Sequence, residues 1–344
     1  MSLWELIRNL PLEVDGYSLE GLSHEISSAL TRQTTVVRLH GAGVSGVGED
    51  VTYAEAEQEE FQRAGAVLDL AGQHTLESLS PRFEALPDYR RWAFESAALD
   101  LALGQEGRAL HEVVGREPSP VRFVVSTSLP DGHARRLRTL LELHSDLRFK
   151  VDAEARWGED IVAELVELDA VDIVDFKEAY VWRDAGRTPP PSLYRLLVEA
   201  LPEAWLEDPS LEDPEKVSIL EPHRNRVTWD AVIHSVADVD ALRWAPRTLN
   251  VKPSRFGSLR RLLDFYDTCE ERGIALYGGG QFELGPGRGQ IQYLASLFHP
   301  DSPNDVAPGR YNETEPVPTL PGSPLAPAPE AKGFRWAEIA SLQA

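Results

Sequence analysis

Cysteine is nearly missing from the chain. Cys269 stands alone, which excludes a disulfide framework and a zinc site built on cysteines. Basic side chains are also few: 34 Lys and Arg against 56 Asp and Glu leave a formal charge of -22. Binding to duplexes and other polyanions is driven by Lys and Arg, so no nucleic-acid partner is expected. No apolar run reaches the roughly 18 residues of a membrane span, so no membrane partner is expected either. The opening residues Met1-Ser2-Leu3-Trp4-Glu5 lack the basic-then-apolar order of a secretory leader. A cytoplasmic protein is the expectation. Hydrophobic residues at 42% and charged residues at 26% argue against a disordered chain. With 344 residues it can bury a large core and divide into domains.

Lysine is scarcer still. Only Lys150, Lys177, Lys216, Lys252 and Lys332 break the run of arginines. A buried lysine can give up its proton near neutral pH and an arginine cannot, so each lysine is a position to locate.

Residues 1–117 read as a mixed α+β domain. Thr34-Thr35-Val36-Val37-Arg38-Leu39-His40 alternates like a strand. The glycine-rich stretch Gly41–Glu49 turns it back as a hairpin. Trp92, Ser96, Leu99 and Leu103 keep helical spacing within 89–103. From about 118 to 315 short apolar runs alternate with helical stretches. The runs are 121–126, 147–152, 171–175, 204–207, 227–230, 249–252 and 274–278, and the helices 131–145, 159–168, 191–201, 236–244 and 257–272. Such alternation means βαβ units and a parallel sheet. An irregular eighth strand within 292–312 would close a (β/α)8 barrel. The proline-rich tail, 316–344, is expected to run extended and to dock Phe334 and Trp336 back on the first domain.

The chemistry lies at the strand ends, where barrels of this kind hold their active sites. The second run ends in Lys150 and Asp152, and the third in Asp175 with Lys177 beyond it. The fourth ends in Glu207, the fifth in Asp230 and the sixth in Lys252. Three carboxylates on neighbouring strands make an oxygen-rich cage for Mg²⁺. A lysine beside a cation has its pKa lowered and can act as a general base. Together they suit removal of a proton next to a carboxylate, with the metal stabilising the charge that develops.

Five segments resemble the enolase superfamily, and within it the muconate-lactonizing branch. Gly43–Glu49 is similar to the capping-domain hairpin and Ala93–Leu101 to the capping helix. Trp205-Leu206-Glu207-Asp208-Pro209 resembles the fourth-strand Glu-Gln-Pro motif. Leu249–Gly257 resembles the sixth-strand lysine motif, and Gly279–Arg288 the Gly-Gly-Met-x-Glu-x-Gly-x-Gly-Arg stretch. The resemblance implies a TIM-like barrel under an α+β capping lid that the C-terminal tail completes. It implies Mg²⁺ on Asp175, Glu207 and Asp230, Lys252 as acid/base on one face of a small carboxylate substrate, and Glu283 assisting at that carboxylate. It also implies substrate selection by His40 and the hairpin, and a homo-oligomer.

The likeness breaks at three strand ends. Where the family has Lys-x-Lys, Lys150-Val151-Asp152 stands, leaving Asp152 as a weaker base, as a partner of Lys150, or without a role. Where it has Asp-x-Asn, Asp175-Phe176-Lys177 stands, so Lys177 occupies space near the metal and substrate. Where it has Asp-Glu, Asp230-Ala231 stands. An alternative register takes Lys150–Glu154 as the third-strand motif and makes Asp152 the ligand in place of Asp175. It leaves too few strands before it. The expected activity is that of a Mg²⁺-dependent lyase or isomerase, of muconate cycloisomerase or o-succinylbenzoate synthase type, favouring one-face chemistry. The alternatives are an acid-sugar dehydratase, with Tyr277 where a histidine is expected, and a barrel that binds ligand without turnover.

Overall fold

The computed structural model describes residues 1–27, 30–129, 131–178, 188–313 and 317–337. The first domain is built on β2 (Gly16–Ser27), β3 (Leu30–Gly41) and β4 (Val44–Asp50), an antiparallel sheet in chain order. A smaller antiparallel pair joins β1 (Pro11–Val14) to β5 (Gly72–Thr75). The expected hairpin is present: Ala42 (φ 47°) and Gly43 (φ 76°) turn β3 into β4, both in the left-handed region that tight hairpins require.

The helix Asp88–Glu106 lies against this hairpin and is buried on every side from Trp92 to Leu103. It ends where Gly107 adopts a left-handed conformation. Its closeness to β4 depends on two small residues. A β-carbon on Gly46 would fall 2.2 Å from the Ala97 carbonyl oxygen, and one on Gly48 2.1 Å from that of Ala93. The strand therefore packs directly on the helix backbone.

The second domain is the barrel. β6 (Val124–Thr127), β7 (Arg148–Asp152), β8 (Val171–Asp175), β9 (Trp205–Glu207) and β10 (Val227–Thr228) form one parallel sheet in chain order. β11 (Thr248–Val251) and β12 (Ala275–Gly278) form a parallel pair. The Asn250 N–H donates to the Trp229 carbonyl at 3.0 Å and joins the two groups. Parallel bridges from Gly279 to Asp305 and from Phe123 to Asn304 close the ring. The eighth position is thus residues 304–305. The earlier part of the expected window is the helix Pro286–Phe298.

The main core lies outside this ring, between strands, helices and lid. Inside, Val124, Ile173 and Tyr277 form a small apolar floor with Trp205 against it. Above that floor the interior turns polar. The tail returns along the seam between the domains: Leu325 pairs with Val121 and Gly333 with Ala109, and the Phe334 N–H donates to Asp100 Oδ1 at 2.8 Å. Phe334 and Trp336 are buried. Pro316 and residues 338–344 of the tail lie outside the described residues. Among those described, no helix is long and apolar enough to cross a membrane.

Candidate active site

Strand register sets the site. Asp152 on β7 pairs with Asp175 on β8, and Asp175 with Glu207 on β9. Thr228 stands opposite Glu207, so Asp230 leaves the ring two residues higher. Neighbouring strands are about 4.8 Å apart, so these carboxylates crowd one end of the barrel.

Cationic side chains meet them there. Lys150 Nζ lies 2.7 Å from Glu207 Oε1, 3.2 Å from Asp175 Oδ2 and 3.6 Å from Asp305 Oδ2. Burial works against this ammonium, but Asp175 and Glu207 outweigh it and hold its proton on. Lys150 thus bridges Asp175 and Glu207 as a cation. Lys252 Nζ lies 2.8 Å from Asp230 Oδ2, and Arg255 Nη1 2.6 Å from Asp230 Oδ1. Burial pushes the Asp230 carboxyl up, yet Arg255 and Lys252 together hold it well below the usual range. Lys177 Nζ lies 2.7 Å from Asp152 Oδ2, while its own N–H donates to Asp175 Oδ1 at 2.9 Å.

Several polar atoms here are buried without a partner among the described residues: Glu207 Oε2, Asn250 Oδ1, Asp152 Oδ1 and Gln281 Nε2. Buried polar atoms are rarely left bare in native proteins, and such a cluster marks a place where a ligand, ion or water belongs. Charge points the same way. Six carboxylates (Asp152, Asp175, Glu207, Asp208, Asp230 and Asp305) face four cationic side chains (Lys150, Lys177, Lys252 and Arg255), an excess of two negative charges. Burial pushes Glu207 up to about 8 and Asp208 to about 7, so the full excess develops only when a bound cation displaces their protons. Hard oxygen donors with an excess of two charges suit one divalent cation. Among the described residues, however, no three His, Cys, Asp or Glu side chains converge closely enough to hold a metal ion as they stand.

The lid closes over this mouth from β3 and β4. Arg32 donates to the carbonyls of Val51, Thr52, Gln281 and Phe282, and the Tyr53 hydroxyl to Gln281 Oε1 at 2.8 Å. The Glu49 carboxylate accepts the N–H groups of Leu284, Gly285 and Gly287 at 2.7–3.0 Å. It thereby caps a barrel helix from the lid. Glu283 is buried beside it and pairs with Arg288 at 3.1 Å. Glu283 also accepts the Gln281 N–H.

His40 is not brought to this group. It contacts Ser18 Oγ at 3.0 Å and borders a separate cavity of about 530 Å³ with Gly43, Lys332 and Arg335. Four residues join the site that were not singled out from sequence. Asp208 accepts the N–H groups of Asp230 and Ala231, both at 2.9 Å, and so holds the Asp230 loop. Asn250 donates to Glu207 Oε1 at 3.1 Å. Arg255 and Asp305 are the others. The signals for three of them were adjacency to Glu207 and spacings of two and three residues from Lys252. Asp305 sits in an irregular strand that gave none.

Two family models match. The one described as Domain of unknown function (DUF8230) N-terminal domain covers residues 5–113, and its C-terminal counterpart covers 117–313. Among curated proteins the chain is 29% identical over 261 residues to an N-succinylamino acid racemase of Amycolatopsis sp, covering 69% of each chain. It is 28% identical to an o-succinylbenzoate synthase of Geobacillus stearothermophilus, covering 77% of this chain and 74% of that protein. Among solved structures it superposes with TM-score 0.70 at 16% identity on a dipeptide epimerase from Enterococcus faecalis V583, covering 95% of this chain and all of that one. It superposes with TM-score 0.65 at 17% identity on a dipeptide epimerase from Methylococcus capsulatus complexed with Mg and the dipeptide L-Arg-D-Lys, covering 89% and 93%.

Proposed function

The chain belongs to the DUF8230 family and, by fold and relatives, to the enolase superfamily, and on that premise we propose that it is a Mg²⁺-dependent lyase or isomerase. Its reaction removes the proton α to a substrate carboxylate. The observation that carries this reading is the ring of strand ends: Lys150 between Asp175 and Glu207, and Lys252 beside Asp230. Asp175, Glu207 and Asp230 would hold the Mg²⁺, which when bound neutralises charge developing on the substrate carboxylate.

The remaining work falls to the chain itself. Lys252 takes the α-proton, and Asp230 and Arg255 fix where its amine stands. Lys150 supplies a fixed positive charge beside the carboxylate. Arg32 and Glu49 hold the lid to the barrel mouth, and a mouth closed to water strengthens each of these interactions. Asp152, Lys177 and Glu283 complete the residues assigned to the substrate side.

A second reading has one observation in its favour. Five of the six oxygens of Asp175, Glu207 and Asp230 already have a cationic or N–H partner. A barrel so neutralised would bind an acid without turning it over. The dehydratase reading needs a general acid for the leaving hydroxyl, and Tyr277, which stands where a histidine is expected, is fully buried.

Calorimetric titration with Mg²⁺ and α-deuterium incorporation into a panel of carboxylic acids in D₂O separate the two. Binding that Glu207→Gln abolishes, with exchange that Lys252→Ala abolishes, supports the enzyme. Carboxylate binding with no exchange on any acid of the panel favours the second reading.

A further inference from the structure

The lid sheet ends in an open edge. Its order is β2, β3, β4, so β2 pairs on one side only, with β3. Among the described residues no other backbone group hydrogen-bonds to β2. The strand is 12 residues long, against about 5–6 for an ordinary strand. A long edge recruits a further strand unless something blunts it. Proline and lysine, two residues that do so, are absent from Gly16–Ser27. The irregularity in its pairing with β3 falls at its far end, between Glu25 and Ser27.

The two faces of β2 differ. Odd-numbered residues face the lid core. Tyr17 is buried and its hydroxyl accepts the Leu68 N–H at 3.0 Å, and a β-carbon on Gly21 would fall 2.5 Å from Gln62 Oε1. Glu20, Leu22 and His24 stand on the opposite face. They lie along the rim of a groove of about 880 Å³, in which Phe282 is 40% exposed.

We propose that a second copy of this chain pairs with this edge, β2 against β2, so that two three-stranded lid sheets become one continuous sheet. Like edges related by a twofold axis pair antiparallel. The axis stands normal to the sheet, so residues of the same face stand opposite one another.

The side chains select the register. Centred on Leu22, the pairing sets Leu22 against Leu22, Glu20 against His24 and Gly21 against Ser23. An apolar contact is then flanked on both sides by a carboxylate facing an imidazole, and such cross-strand pairs are what stabilise a sheet. Centred on Glu20 or His24, the pairing would set like groups together. Centred on Gly21 or Ser23, it would set Leu22 against Glu20 or His24.

The interface reaches the lid's hold on the barrel. His24 of β2 stands opposite Arg32 of β3, and Arg32 donates to the carbonyls of Gln281 and Phe282. A second copy therefore braces the arm that carries Arg32 to the mouth.

Sedimentation and cysteine cross-linking of the full chain test the pairing and its register. Opposed Cα atoms of an antiparallel pair stand about 4.5–5.5 Å apart, a separation that a disulfide spans. Cys269 is buried, so an introduced surface cysteine is the reactive one. Wild type should sediment as a dimer at micromolar concentration. Leu22→Cys should become a disulfide-linked dimer on mild oxidation. Glu20→Cys and His24→Cys should each stay unlinked alone and link to one another when mixed. Leu22→Lys sets two ammonium groups face to face and should raise the dimer dissociation constant about tenfold or more, with an unchanged circular dichroism spectrum. A monomeric wild type overturns the proposal. So does a dimer that Leu22→Cys fails to link, or whose dissociation constant Leu22→Lys leaves unchanged, because the contact then lies elsewhere.

Discussion

Gly279 lies so close to Lys252 that a β-carbon on it would fall 2.7 Å from Lys252 Cε and 2.6 Å from Asn250 Oδ1. The glycines that follow β12 are thus a close-approach turn that leaves room for the proposed base and its neighbour. Gly279→Ala should push the Lys252 side chain off Asp230. Overpacking of this kind costs about 1–3 kcal/mol, and the larger effect should fall on chemistry. The α-deuterium exchange rate should drop tenfold or more while Mg²⁺ affinity holds. An unchanged rate would show that Lys252 does not take the proton from its present position.

Glu49 ties the lid to the barrel. Its carboxylate accepts three N–H groups at the start of the helix Pro286–Phe298. Glutamine offers one acceptor oxygen and turns an NH₂ donor toward N–H groups. Glu49→Gln should therefore destabilise the chain by about 2 kcal/mol, measured by urea unfolding. Amide hydrogen exchange should speed up at Leu284, Gly285 and Gly287 and remain slow in β8 and β9.

His299 gives the fold an acid limit. Burial holds its imidazole at about 4, with Asn304 Oδ1 2.6 Å from Nδ1. In the unfolded chain it titrates near 6.5. Since the unfolded form binds the proton more readily, stability falls as pH drops from about 6.5 toward 4. The loss between pH 7 and pH 5 should be about 2 kcal/mol from this group. Urea unfolding at the two values measures it. His299→Asn should be less stable at pH 7 but lose about 2 kcal/mol less than wild type on acidification.

The barrel was legible because its signals are local: apolar runs, helical periods between them and a carboxylate or lysine at the ends of the second to sixth runs. Asp175, Glu207, Asp230 and Lys252 came from that order, and the register places the first two side by side. What could not be read was where long side chains go. Nothing in the spacing says that Lys177 folds back onto Asp152, or that Arg255 shares Asp230 with Lys252. His40 stands apart from the strand-end group for a related reason. It belongs to the same strand as Arg32, but eight residues at about 3.3 Å each carry it away from the mouth. Asp305 escaped because two residues of irregular chain have no period.

Asp100 ties together three segments distant in sequence. It accepts the N–H of Val47 at 2.8 Å and that of Phe334 at 2.8 Å, and Arg335 Nε lies 2.9 Å from its Oδ2. The carboxylate is fully buried. Burial raises its pKa against the pull of Arg335. Asp100→Ala leaves the buried Val47 and Phe334 N–H groups without an acceptor, a loss of about 1–3 kcal/mol for each. The tail should then come away from the capping helix before the barrel is affected. Trypsin reads this directly, since Lys332 and Arg335 flank Phe334. Cleavage there should be slow in wild type and at least tenfold faster in Asp100→Ala, with the barrel fragment persisting. Equal rates in the two proteins would mean that the apolar seating of Phe334 and Trp336 holds the tail without Asp100.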